Sequence, residues 1–223
     1  MALANNLVEL RQLLVERFPH TRLGLPAAAS SVEPIPTGVP SLDKILSGGL
    51  PRGALTELVG VGPGSGSCLV LHALLRETAR NGQFMALIDG ADSFDACAVE
   101  ATILARLLWL RCVSVEQALK ASDLLLRDPN LPLVVLDLKL NTARELRKLS
   151  SSVWHRFVRL LEQSETAVLV VTPEPLVGGV SWRVECENAL KLEALAGSPA
   201  NSLSSLRFNL LRSPAAGTEA KTG

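Results

Sequence analysis

Apolar positions along this chain follow a helical rhythm in some stretches and a strand-like one in others, and the exchanges between them divide it into segments. Leu7, Leu10, Leu13, Leu14 and Phe18 fall three or four residues apart, which lines one face of a helix. They predict an amphipathic helix over residues 4–18, ended by Pro19. Residues 1–23 would then form an N-terminal arm. Residues 24–36, with Gly24, Pro26, Pro34 and Pro36, read as a linker. Short, largely apolar runs at 55–59, 84–89, 108–113, 131–137 and 167–172 predict strands. Helical stretches at 68–80, 94–107 and 142–163 lie between them. A further helix opens at Ser114, where Ser114 and Gln117 fit a capping box. Two more strands, near 189–196 and 203–212, follow with no helix between them, and residues 213–223 form a polar tail.

Strands that are apolar throughout, alternating with helices, require a sheet covered on both faces. The expectation is therefore an α/β core over residues 37–212, with a mostly parallel sheet flanked by helices and an antiparallel C-terminal edge. Composition agrees: 48% of residues are hydrophobic, 20% are charged and Tyr is absent, so the core is aliphatic. Lys plus Arg equals Asp plus Glu at 22 each, so net charge gives no nucleic-acid footprint. Cys68, Cys97, Cys112 and Cys186 form no Cys-x-x-Cys pair and read as buried free thiols in a reducing compartment. The start of the chain lacks a signal-peptide pattern, and no run reaches the roughly 18 apolar residues of a membrane span. A cytoplasmic protein without a membrane partner is expected. His20, His72 and His155 lie far apart and show no metal-ligand or triad pattern, so no metal site is expected.

In an open parallel sheet, ligands bind beyond the carboxyl ends of the strands. There the first strand runs into a glycine-rich turn carrying Gly60, Gly62, Gly64, Ser65, Gly66, Ser67 and Cys68, and then into a helix. That is the setting of a phosphate-binding loop. A working loop of the form G-x-x-x-x-G-K-[ST] cradles phosphates with its amides, neutralises them with the lysine and ligates Mg²⁺ with the hydroxyl. With Gly66 as the last glycine, Ser67 stands at the lysine and Cys68 at the hydroxyl. The cradle is kept, but the cation is lost, and a thiol is a poor partner for Mg²⁺. Losing a charged clamp on a phosphoryl group removes on the order of a few kcal/mol of transition-state binding. Three readings stay open at this point: a tight turn only, residual nucleotide or anion binding, and retained hydrolysis.

Other segments carry a resemblance. The run IPTGVPSLD at residues 35–43, then GGLPRG at 48–53, then Glu57, resembles the approach of bacterial RecA recombinases to their phosphate loop. LIDGADSFD at 87–95, EQAL at 116–119, the VVLD strand ending at Asp137 and NALK at 188–191 are similar to family segments in the same order. The resemblance implies a RecA-like P-loop NTPase fold, with Asp137 as a Walker B-like carboxylate. It also exposes departures. Ala91 stands where the family has a catalytic Glu, with Asp92 beside it. Thr172 and Pro173 stand where a polar pair senses the γ-phosphate. Residues 138–147 replace the family's first DNA-binding loop, and residues 173–187 replace the second. Arg144, Arg147 and Lys148 are spaced to share a helix face, either as a solvated face or as contacts for phosphate or a partner. Trp182 and Arg183, read as part of a glycine-bearing loop, are candidates for contact with a base or a partner protein.

A short RecA-like chain with such a loop resembles the inducible-mutagenesis accessory proteins, the ImuA group, and the RLLWLR run at 106–111 adds to the likeness. The resemblance implies a non-catalytic accessory or adaptor role in the DNA damage response, in SOS translesion synthesis. It implies protein partners, namely translesion polymerase subunits or a RecA-type filament, with DNA as a further candidate. The N-terminal helix is placed for self-association. No cofactor is expected, with weak ATP binding left open. The alternative is an ATP-dependent RecA-type DNA-binding ATPase with a non-standard loop. A third reading is inhibition of cell division, the SulA-type role for which some members of the group are named.

Overall fold

The computed structural model describes residues 33–128, 130–188 and 203–214. The expected arm, the strand expected near 189–196, and most of the linker and tail lie outside the described residues.

Among the described residues seven strands form one sheet: β1 (Ala54–Gly60), β2 (Met85–Asp89), β3 (Leu107–Arg111), β4 (Leu133–Asp137), β5 (Ala167–Thr172), β6 (Trp182–Asn188) and β7 (Leu206–Arg212). Their spatial order is β3-β2-β4-β5-β1-β6-β7. Every neighbouring pair is parallel except β6 and β7, which makes the antiparallel edge. β1, β2 and β5 are buried along their whole length, and β4 at all but its last residue. Successive side chains of a strand point to opposite faces, so continuous burial requires cover on both. In β4, Leu133 and Val135 enter one apolar cluster while Val134 and Leu136 enter the other.

Helices α1 (Pro40–Ile45) and α2 (Ser67–Arg80) supply Leu42, Val70 and Leu74 to the first cluster. Beyond the short helix α3 (Ala101–Leu104), helices α4 (Val115–Leu125), α5 (Ala143–Leu146) and α6 (Ser151–Leu161) cover the opposite face. There Leu119, Trp154 and Phe157 join the second cluster. Burying a side chain such as that of Leu74 contributes about 1.5–3 kcal/mol.

Two helical expectations need correction. The stretch 142–163 is two helices, because it carries two start signals. Thr142 and Glu145 make a complete capping box for α5, and Ser150 accepts the Ser152 amide to start α6. The stretch 94–107 is not one helix either. The Asp89 carboxylate accepts the amides of Ser93 and Phe94, which bends the chain into a loop at 90–95. Asp95 then caps a single 3-10 turn at Ala96–Ala98, and α3 follows after extended residues. The strand in this region begins at Leu107. At α4, Ser114 caps as expected, accepting the Gln117 amide, but Gln117 Oε1 takes the amide of Val113 and not that of Ser114. Trp182 and Arg183 are also corrected: they open β6, paired with Thr56 and Glu57 of β1, and do not lie in a loop.

Candidate functional site

β1 ends at Gly60 and α2 begins at Ser67, with Gly66 as its N-cap. Gly62, Gly64 and Gly66 have φ of +67°, +69° and +86°, a region L side chains rarely adopt. Positions 62 and 64 open onto space, so there the backbone angle alone calls for glycine. At Gly66 a Cβ would also collide with Leu206 at the start of β7. No side chain caps α2, which leaves backbone amides at its start.

The first side chain of α2 is Ser67, which is buried and lies 3.5 Å from Ser65 Oγ, the donor to its hydroxyl. Cys68 follows at an exposed position, yet its thiol is locally desolvated. That desolvation pushes its pKa up, and the carboxylates of Asp137 and Asp95 add to the rise. The group is held as a neutral thiol, which is not a hard-metal ligand. If Gly60 is taken as the first glycine of the motif, Gly66 falls at the lysine and Ser67 at the hydroxyl. In neither register does the loop carry a cation. The lysine with which the motif would neutralise the phosphates of Mg²⁺–nucleotide is thus absent from the loop itself.

A cation does reach the loop, from a different element. Lys139, two residues beyond β4, donates from Nζ to the carbonyl of Gly60 and, at 3.0 Å, to that of Gly62. Its aliphatic stem lies against Gly60, where a Cβ would stand 3.0 Å from Lys139 Cε. Burial lowers the Lys139 pKa, and Asp137 opposes that shift. On the other side of the loop, the Cys186 thiol donates to Ser65 O at 3.3 Å. Burial pushes its pKa to about 12, so it remains a donor. Lys139 lies in the 138–147 stretch that replaces the family's first DNA-binding loop, and the sequence does not show this contact. No local signal marks a lysine whose acceptors lie 79 and 77 residues away.

The carboxylates expected near the site are engaged internally. Asp137 ends β4 and accepts the Lys139 amide at 2.9 Å. Its pKa is raised to about 6, first by burial and then by Asp89, against the Lys139 amide and ammonium. Asp89 is buried and also accepts from Trp109 Nε1. Ala91 is exposed and offers no acid or base. Asp92 sits at φ +53° and pairs with Arg111 at the exposed edge, which holds its carboxyl below the ordinary range.

Thr172 donates its hydroxyl to Glu57 Oε1 at 3.0 Å. Glu57 is fully buried, and it also accepts the amides of Leu176 and Val177 and the guanidinium of Arg183. Arg183 donates in addition to Val177 O at 2.7 Å. Its guanidinium is therefore taken up inside the fold and fixes residues 173–181, where the sequence suggested an outside contact. Trp182 is half-buried and packs on the first apolar cluster. Arg144, Arg147 and Lys148 are exposed on α5 and the turn after it. Arg144 and Arg147 make no ion pair among the described residues. The structure thus gathers Gly60 to Cys68, Asp137 and Lys139 at one rim, while Trp182 and Arg183 serve the packing of β6.

The family model for the RecA N-terminal domain matches residues 19–153. Protein RecA of Chlorobaculum tepidum is 36% identical over 119 residues, which covers 52% of this chain and 34% of that protein. Protein RecA of Picosynechococcus sp. is 33% identical over 118 residues, covering 52% and 33%. Protein RecA of Symbiobacterium thermophilum is 34% identical over 119 residues, covering 52% and 34%. The match spans about a third of the length of these curated relatives. Among the described residues no helix is long and apolar enough to cross a membrane.

Asp137 makes a testable contribution to stability. An acid whose pKa is higher in the folded chain binds its proton more tightly there, so stability falls as pH rises from the ordinary 3.8 to about 6. Above that window the cost persists. Asp137→Asn keeps an acceptor for the Lys139 amide and removes the charge. It should raise the unfolding free energy at pH 7.5 by roughly 1–3 kcal/mol and change it little below pH 4. Urea unfolding at the two pH values reads this, and equal stability at pH 7.5 would count against it.

Proposed function

This chain belongs to the RecA N-terminal domain family, and from that premise we propose that it is a non-catalytic accessory or adaptor protein of the DNA damage response, working through protein contacts. The observation that carries the reading is the glycine loop, which holds no cation in either register; with Gly66 as the last glycine, a buried serine and a neutral thiol occupy the places of the cation and the metal ligand. Asp92 supports it, because its pairing with Arg111 leaves Ala91 without a substitute base. The resemblance to the ImuA group supports translesion synthesis as the process, with polymerase subunits or a RecA-type filament as protein partners. Loss of hydrolysis is part of the proposal, and weak nucleotide binding at the glycine loop is compatible with it.

Steady-state phosphate release, measured with Mg²⁺–ATP and single-stranded DNA, tests this directly. The expected rate is that of the blank. Turnover that Asp137→Ala abolished would overturn the proposal. It would favour the second reading, an ATPase with a non-standard loop, for which the placement of Lys139 on Gly60 and Gly62 is the supporting observation.

Residues 4–18 are the proposed self-association or partner element, from their helical pattern in the sequence. Deletion of residues 1–22 should shift the oligomeric state or abolish partner binding in sedimentation and co-purification assays. If both were unchanged, the arm would have no such role.

A further inference from the structure

We propose that Lys139 is a built-in brace for the glycine loop, holding it in its curved form without nucleotide and thereby fixing the basic segment that follows β4. The inference deepens the adaptor reading: a surface presented without nucleotide suits a protein that does not cycle through hydrolysis.

Three observations carry it. First, the loop has three residues at positive φ and an exposed outer stretch at 61–64. Such a turn needs outside partners to hold one shape. The carbonyls of Gly60 and Gly62 receive Lys139 Nζ, Ser65 O receives the Cys186 thiol, and the Val61 amide donates to Cys186 O. Lys139 is the charged donor in that set, and charge-assisted bonds are about twice as strong as neutral ones.

Second, Lys139 is itself held. Its amide donates to Asp137 Oδ1, and the Leu138 amide donates to Val171 O at 2.9 Å. Leu138 is fully buried. Asn141 Nδ2 then donates to Gly90 O at 2.8 Å. Residues 137–141 are thus tied to β5, to the exit of β2 and, through Lys139, to the loop after β1.

Third, the basic segment starts at this anchor. Thr142 caps α5 directly after Asn141, and Arg144, Arg147 and Lys148 are exposed on α5 and the turn behind it. The ammonium of Lys139 therefore couples the shape of the loop to the position of that basic face. Taking the ammonium away frees the loop and removes one of the ties on the stretch from which that face starts.

Hydrogen exchange by mass spectrometry on the full chain tests the brace, using wild type, Lys139→Met and Lys139→Arg with and without Mg²⁺–ATP. In Lys139→Met, amide exchange over residues 60–66 should rise about tenfold and over 138–148 at least about threefold, with β2 and β5 unchanged. Lys139→Arg, which keeps a charged donor, should retain most of the protection. Mg²⁺–ATP should alter wild-type loop exchange by less than about twofold. The proposal is overturned by Lys139→Met exchange within about twofold of wild type in the loop, by a rise spread evenly over the sheet, or by strong protection on adding nucleotide. Should Lys139→Met not fold, Lys139→Gln is read by the same criteria. Phosphate release by the wild type would defeat the adaptor reading alone, and the exchange pattern would still decide the brace.

Discussion

Glu57 has no exposed surface, and a buried carboxylate left without donors would cost several kcal/mol. Much of the architecture around β1 follows from that constraint. Arg183 faces Glu57 from the neighbouring position of β6, Thr172 reaches it from the end of β5, and the chain after β5 folds back so that two amides complete the set. The same rule acts at the next strands. Asp89 draws the loop after β2 around itself, and Asp137 takes the amide of Lys139 after β4. The chain after β2, after β4 and after β5 thus bends around a carboxylate that its amides satisfy.

This has a consequence for chemistry. In a phosphoryl-transfer site the cations, the metal ligand and the base are aimed at the substrate. Along this rim the charged groups are aimed at the protein: Arg183 at Glu57, Arg111 at Asp92, Lys139 at the loop carbonyls. On the proposed reading, interactions that a nucleotide would organise have been replaced by permanent internal ones. Rigidity of the rim then serves presentation of a surface, and the exposed basic residues Arg144, Arg147 and Lys148 form the part of it that remains free to meet a partner or a phosphate backbone.

The strand pattern was legible because burial on both faces writes itself as uninterrupted apolar runs, as at 167–172, where expectation and strand coincide. The glycine loop was legible from its spacing; an antiparallel edge was expected, but the strand that pairs with β7 is Trp182–Asn188, a stretch read as part of a loop. Helix continuity was less so. A helical period ran through 142–163, but Thr142 and Ser150 each compete for backbone amides and restart the helix. The charged contacts of the rim were not legible. Arg183 and Glu57 are 126 residues apart, and sheet order alone brings them opposite each other. Trp182 looked like a loop aromatic beside Gly178 and Gly179, and only the pairing of β6 with β1 turns it toward the core.

On the proposed reading this loop has lost the means to handle Mg²⁺ together with phosphate. A calorimetric titration of ATP into the protein, with Mg²⁺ and with EDTA in its place, tests it most directly. With a neutral thiol and a buried serine at the start of α2, the account predicts that any affinity for ATP is the same, within about threefold, in both conditions. Binding tightened about tenfold or more by Mg²⁺ would show a working metal site and contradict it.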